Sequence, residues 1–362
     1  MVALPVSKDI EIKSHSGQYK VFFNENAIEN LNNNIPDKVH FIIDKNVANL
    51  YRYKIANILR SKSVLIIDAL ENNKSLDKLP EYVDHLVSMS LRRDEILIAI
   101  GGGIIQDITC FLSNTMLRGV EWYFYPTTLL SQADSCIGSK SSINSGGSKN
   151  ILGTFNPPKK VFISTSFLET LEKKEILSGI GEMIKVHIIN GENSFNEISK
   201  NYENILLDKK FMISFVYSSL IIKKEYIEID EFDKGIRNIF NYGHSFGHAI
   251  ESATNFGIPH GIAVTIGMDM ANYIAAELGI ASKNSFTKVH SLLSRNYADY
   301  LDYSIPIDEF ILAISKDKKN TGTNQLTLIF LNKDFKVFKD SYSNSNKFRK
   351  LCEIFLLQVR KQ

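Results

Sequence analysis

Cysteine is scarce: Cys110, Cys136 and Cys352 are the whole supply in 362 residues. Three thiols so widely spaced exclude a disulfide framework or a structural zinc knuckle, and they fit a reducing compartment. Net charge is equally scarce. Lys and Arg total 42 against 40 acidic residues, leaving +2, so no broad field draws the chain to nucleic acid or an anionic membrane. No apolar run nears the ~20 residues that span a bilayer. The opening MVALPVSKDIEIKSHSGQYK has no basic stretch followed by a long apolar one, so no signal peptide is expected and the cytoplasm is the expected location. There is no internal repeat, and the dinucleotide fingerprint GxGxxG is missing.

What is present is an ordinary globular composition, 44% hydrophobic and 23% charged, at a length that suits about two domains. In the first half, short β-branched runs (KVHFIIDKNV, SVLIID, EILIAIGGG, VEWYFYPTT, KKVFIST) alternate with helical patterns such as 75–91. That alternation predicts an α/β domain with a parallel sheet over 1–166. From 167 to 362 helical patterns dominate, at 170–191, 194–207, 209–229, 243–254 and 262–279, with a strand pair QLTLIFL and FKVFKD near the end. The Asn- and Lys-rich patches at 32–34 and 317–325 are expected to be loops.

Four stretches carry chemistry. IAIGGGIIQD (98–107) is a buried strand running through three glycines into a helix, where backbone N–H groups could meet a phosphate, although a plain tight turn fits as well. Asp107 there is either a helix-end charge or an acceptor for a ligand amide. The long polar stretch 125–155 carries Asp134, Lys140, Lys149 and Asn150 among spaced isoleucines, as a packed functional loop would. In SGIGEMIKVHI (178–188), Glu182 and Lys185 share a helix face amid apolar neighbours, and a buried carboxylate needs a partner or a metal. NYGHSFGHAIE (241–251) places His244 and His248 on one face, and His260 follows. Two histidines and a carboxylate can make a catalytic zinc site, and spacing alone leaves a structural role equally open.

Taken in order, these stretches resemble the 3-dehydroquinate synthase family of sugar-phosphate cyclases from about residue 40 to 330. GGGxxxD matches Gly101 to Asp107, LRG matches 117–119, and PTTLLxQxDSxxGxK matches Pro126 to Lys140. KNxxGxF matches Lys149 to Phe155, ExxK matches Glu182 to Lys185, NxGHxxGHAIE matches Asn241 to Glu251, and HG matches 260–261. The resemblance implies that Glu182, His244 and His260 hold a divalent metal, Zn2+ or Co2+. It implies an NAD site lined by Asp44, Glu71, Lys74, Gly103, Asp107, Thr127, Thr128, Lys140, Lys149 and the Phe167–Thr170 turn. Lys140, Lys149, Asn150, Asn241 and His248 would gather at the substrate, largely at its phosphate. Lys223 and Arg237 would take its carboxylate, with Asp134 and Lys185 near its hydroxyls. Arg118 would reach the partner's site in a homodimer.

The implied reaction converts 3-deoxy-D-arabino-heptulosonate 7-phosphate to 3-dehydroquinate and phosphate. It runs by transient oxidation, phosphate elimination, re-reduction and aldol closure. Cyclases of sedoheptulose 7-phosphate or glucose 6-phosphate lack a substrate carboxylate, and Arg237, Asn241, His248 and Lys223 favour the acid substrate. Three departures point to a divergent branch: Ile262 stands for a usual glutamate, Gln106 and Ser139 for usual glycines. Another cyclase reaction, on an amino analogue or sedoheptulose 7-phosphate, is the alternative. A metal-dependent polyol dehydrogenase is the remote one.

Overall fold

A computed structural model describes residues 8–146, 148–316 and 325–361. The chain divides into two compact units, Met1–Leu171 with Met212–Phe232, and Glu172–Phe211 with Asp233–Gln362. The break thus falls a few residues later than a cut at 166, and one helical segment from the second half joins the first unit. Its pattern as a sequence is that of any other helix; long-range contacts decide its membership.

The first unit is built on seven strands: β1 (Ile10–Ser14), β2 (Gly17–Phe23), β3 (Val39–Asp44), β4 (Val64–Ile67), β5 (Ile96–Gly101), β6 (Glu121–Pro126) and β9 (Lys160–Ile163). They are ordered β1-β2-β9-β6-β5-β3-β4. All neighbours are parallel except β1 and β2. The antiparallel β1–β2 hairpin at the edge was not foreseen; a hairpin needs only a tight turn, and Gly17 supplies it with φ +104°. Near-continuous apolar runs such as Ile96–Gly101, buried on both faces, are what a covered parallel sheet requires. Helices α1 (Ala27–Asn33), α2 (Lys45–Leu50), α3 (Ala56–Leu59), α4 (Leu79–Ser88) and α5 (Gly103–Thr115) connect the strands. The Asn-rich patch at 32–34 therefore ends a helix. A second small hairpin, β7 (Ile143–Ser145) and β8 (Ser148–Leu152), forms inside the long polar stretch.

The second unit contains α6 (Lys173–Ile189), α7 (Glu192–Leu207), α9 (His244–Ala253), α10 (His260–Glu277), α11 (Lys283–Asn296), α12 (Ile307–Ser315), the β10–β11 pair (Gln325–Leu331, Val337–Ser343) and α13 (Asn346–Leu357). Helix α8 (Lys209–Ile229) contributes its residues from Met212 onward to the first unit. Helix α10 is buried at every position from Gly261 to Ala275; most of these are apolar, and its buried Asp269 accepts from His290 Nδ1 at 2.7 Å. The loop expected at 317–325 lies outside the described residues, apart from Gln325. Among the described residues, no helix is long and apolar enough to cross a membrane.

Candidate active site

In the first unit the sheet reverses direction of build between β3 and β5. In open α/β sheets, ligands bind outside the carboxyl ends of the strands at such a switch point. Asp44 ends β3 and caps α2, its Oδ1 accepting from Asn46 N at 2.8 Å. Burial pushes its carboxyl above the usual range. Gly101 to Gly103 end β5 and open α5. A Cβ on Gly102 would lie 2.9 Å from Thr128 Cγ2, whereas one on Gly103 would meet nothing within 4 Å. The start of α5 is thus open on the Gly103 side, and its first N–H groups suit a phosphate. Thr127 N bonds Gly101 O at 2.9 Å, and Thr128 Oγ1 pairs with Ser131 Oγ at 2.8 Å.

Asp107, one turn on, accepts from Ser142 N and Oγ (both 3.0 Å) and from Lys74 Nζ at 3.0 Å. It organises the β7–β8 hairpin. Lys74 also donates to Asn150 Oδ1 at 3.1 Å and lies 3.5 Å from Glu71. Burial alone would lower the Lys74 pKa, but the Asp107 and Glu71 carboxylates outweigh it and hold the ammonium above its usual value. Asn144 Nδ2 bonds Glu71 Oε1 at 2.9 Å, and Lys149 Nζ stands 4.0 Å from the same oxygen. So Glu71, Lys74, Asp107, Lys149 and Asn150 form one cluster. Lys140 is exposed and pairs in a bridge with Phe155.

The turn carrying Phe167 and Thr170 is held by Tyr51, whose ring packs on Phe167 with centroids 5.1 Å apart and whose hydroxyl pairs with Thr170 Oγ1 at 2.9 Å. Glu25 adds bonds to Thr165 N and Ser166 N at 3.2 Å. Sequence reasoning did not find Tyr51 or Glu25, since each acts on a segment more than 100 residues away. Lys223, on α8, lies 2.9 Å from Asp134 Oδ1 and donates to the Asp134 carbonyl at 2.6 Å.

In the second unit, close helix approach builds the metal-type site. A Cβ on Gly181 of α6 would lie 2.4 Å from Gly261 O, and one on Gly261 would lie 1.9 Å from Ser178 O. Only glycine at both places lets α6 and α10 touch backbone to backbone. Gly243 precedes α9 with φ +76°, and a Cβ there would lie 2.7 Å from Val264 O. These contacts bring Glu182, His244 and His260 together. The Nε2 atoms of His244 and His260 lie 3.8 and 3.6 Å from Glu182 Oε1. Glu182 is 1% and Lys185 2% exposed. Its Oε2 accepts from Lys185, while Oε1 is buried without a hydrogen-bond partner.

The outer ring nitrogens have acceptors: His244 Nδ1 faces Tyr242 O at 3.2 Å, and His260 Nδ1 faces Glu251 Oε2 at 3.1 Å. Such partners fix the tautomer that leaves Nε2 as a ligand. Burial pushes the His260 pKa down, but the Glu251 bond and the Glu251 and Glu182 charges override it and leave it raised. An orphaned carboxylate oxygen between two imidazole nitrogens fits a divalent cation with an open coordination position.

Glu251 lay inside a quoted motif without a role; the structure gives it one, on His260. Ile262, in place of a usual glutamate, is fully buried in α10 and leaves His260 a carboxylate partner all the same. His248 is exposed, its ring 5.5 Å from that of His244 and 5.6 Å from that of His260. Arg237 is buried in the turn Ile236–Asn241, where Asn241 Nδ2 bonds Asn238 O at 3.1 Å. Arg118 is exposed on a turn whose residues 117, 118 and 119 all have positive φ.

The first unit thus carries an open helix start at the carboxyl end of a parallel sheet, and the second a Glu–His–His cluster of the kind that holds a divalent metal. The family models described as 3-dehydroquinate synthase N-terminal and C-terminal match residues 64–178 and 179–320. The 3-dehydroquinate synthase of Clostridium tetani is 34% identical over 335 residues, 89% of this chain and 88% of that one. That of Prochlorococcus marinus strain AS9601 is 39% identical over 264 residues, 71% of this chain and 73% of its own. The chain belongs to the 3-dehydroquinate synthase family.

Among solved structures, 2-deoxy-scyllo-inosose synthase complexed with carbaglucose-6-phosphate, NAD+ and Co2+ aligns with a TM-score of 0.82 at 22% identity, covering 96% of this chain and 100% of that one. ValA, the 2-epi-5-epi-valiolone synthase of Streptomyces hygroscopicus with NAD+ and Zn2+ bound, aligns at 0.81 and 21%, covering 94% and 97%. At these identities the likeness establishes the shared fold.

Proposed function

We propose that this protein is a phosphate-eliminating cyclase that converts 3-deoxy-D-arabino-heptulosonate 7-phosphate to 3-dehydroquinate and phosphate, using NAD and zinc or cobalt. The observation that carries the reading is Glu182, with one oxygen on Lys185 and the other, buried and unpartnered, facing Nε2 of both His244 and His260. Kinship to 3-dehydroquinate synthases over most of the chain supports it. When bound, NAD supplies a recyclable hydride acceptor, and the metal held by Glu182, His244 and His260 supplies a Lewis acid.

The chain's own residues do the rest. Lys185 and Asp134 orient substrate hydroxyls, and Lys223 and Arg237 take the carboxylate. A guanidinium presents a fork of N–H donors that matches a carboxylate, which favours an acid substrate. Lys140, Lys149, Asn150 and Asn241 hold the phosphate end. His248, exposed beside the two ligand rings, relays a proton to or from the reacting group. Residues Asp44, Glu71, Lys74, Gly103, Asp107, Thr127, Thr128, Phe167 and Thr170 of the first unit serve the dinucleotide. The exposed Arg118 turn suits delivery to a second copy in a homodimer, and the scarcity of disulfide-forming cysteine suits the cytoplasm.

A substrate panel tests the reading. Purified protein with metal and NAD receives the heptulosonate phosphate, its amino analogue, sedoheptulose 7-phosphate or glucose 6-phosphate, and phosphate release is followed. Turnover of the first compound above the others is expected. Preference for sedoheptulose 7-phosphate would move the chain to another cyclase reaction.

A further inference from the structure

Gln106 sits on the first full turn of α5, directly before Asp107, and is 5% exposed. Its amide is spent on one residue. Nε2 donates to Ser135 O at 2.6 Å, and Ser135 Oγ donates back to Oε1 at 2.6 Å. Ser135 ends a wide turn, Ser131–Ser135, closed by the bond from Cys136 N to Ser131 O at 2.9 Å. Such i→i+5 turns are rare and leave carbonyls that need partners from elsewhere.

Here the partners are side chains. Gln132 Nε2 ties the front of the turn to Pro126 O at 3.0 Å and Ser164 O at 2.8 Å. The two successive carbonyls at its end go to different elements: Asp134 O to Lys223, and Ser135 O to Gln106. The Asp134 carboxylate returns to Lys223 as well. The peptide that presents the Asp134–Lys223 pair is therefore pinned to α5 through the Gln106 side chain.

We propose that Gln106 is a positioning residue for the substrate: through Ser135 it fixes the turn that sets Asp134 against Lys223, while its own amide leaves the dinucleotide untouched. This rests on the reading that Asp134 and Lys223 bind substrate. Loss of the amide removes two short bonds and leaves a carbonyl without its donor, so the turn loosens where the pair is held.

The test is steady-state kinetics and NAD titration of the metal-loaded wild type and four variants: Q106L, Q106E, S135A and Q106L/S135A. Q106L should raise KM for the heptulosonate phosphate about 10-fold, the loss of two ordinary hydrogen bonds, with kcat and the Kd for NAD changed by less than about 3-fold. Q106E keeps an acceptor for Ser135 Oγ but has no donor for its carbonyl, so it should behave like Q106L and serves if the leucine variant folds poorly. S135A should cost about 3-fold, because the backbone carbonyl keeps its donor. The double variant should match Q106L instead of multiplying the two effects. Unchanged KM, multiplicative effects, or a rise in the Kd for NAD without a rise in KM would overturn the proposal alone. A wild type that does not turn over the heptulosonate phosphate would overturn the functional reading and this inference with it.

Discussion

Glu251 offers the sharpest perturbation of the metal-type site. Its carboxylate accepts from His260 Nδ1 at 3.1 Å, and it is buried. With Glu251→Ala, His260 loses the acceptor that selects its tautomer and ring orientation. Removing such a partner typically costs 10–100-fold in metal affinity, which is about 1.4–2.8 kcal/mol. Glu251→Gln keeps an acceptor oxygen but drops the charge, so its loss should lie near the lower end, about 10-fold. The assay is competition of the apoprotein against a chromophoric chelator for Zn2+ and Co2+, with the visible Co2+ spectrum as a second readout of ligand geometry. The NAD Kd should stay the same, since the residues proposed for the dinucleotide belong to the first unit. If Glu251→Ala binds metal within about 3-fold of the wild type with an unaltered Co2+ spectrum, the assignment of His260 and its partner is wrong.

Other consequences follow from the same geometry. Gly261→Ala puts a methyl group 1.9 Å from Ser178 O, so α6 and α10 must separate. Destabilisation of about 1–3 kcal/mol in urea melts, with metal affinity falling in parallel, is expected, and a wild-type melt would refute the contact. Burial holds the His187 pKa down at about 4, against 6.5 when unfolded. The unfolded chain therefore takes up the proton first as pH falls, so this histidine's contribution is complete above about pH 6.5 and is lost towards pH 4. Its size is at most about 3 kcal/mol, and His187→Gln should flatten that part of the stability–pH curve. Lys74→Met strips Asp107 of its cation in a buried setting. It should destabilise by about 3–5 kcal/mol and weaken NAD binding, and a variant as stable as the wild type would dissolve the cluster argument.

The residues themselves explain how much of this could be read from sequence. Long periodic segments were legible: helices expected at 194–207 and 209–229 lie at Glu192–Leu207 and Lys209–Ile229, and the late strand pair is β10 and β11. Their hydrophobic periods are local and strong. The hairpin at 143–152 was not legible, because its strands are short and are held by Asp107 and Lys74 from other elements. The wide turn at 131–135 has no local signature, since its carbonyls are satisfied by Lys223 and Gln106 far along the chain. The helix division failed at α8 for a related reason: Lys223 bonds Asp134 and Tyr217 packs on Phe23 at 5.5 Å, contacts no periodicity reveals. Glu182, His244 and His260 were legible as types and spacing. Their convergence depended on Gly181, Gly243 and Gly261, whose meaning appears only when the helices touch.

The central claim is that oxidation and re-reduction occur within one turnover, so the dinucleotide is not consumed. The direct measurement is stoichiometry: phosphate released per NAD supplied, with absorbance at 340 nm followed in the same cuvette, on heptulosonate phosphate and metal-loaded protein. The account predicts many phosphates per NAD, a carbocyclic product and no accumulation of reduced dinucleotide. One reduced dinucleotide per substrate consumed, with no phosphate released, would contradict it.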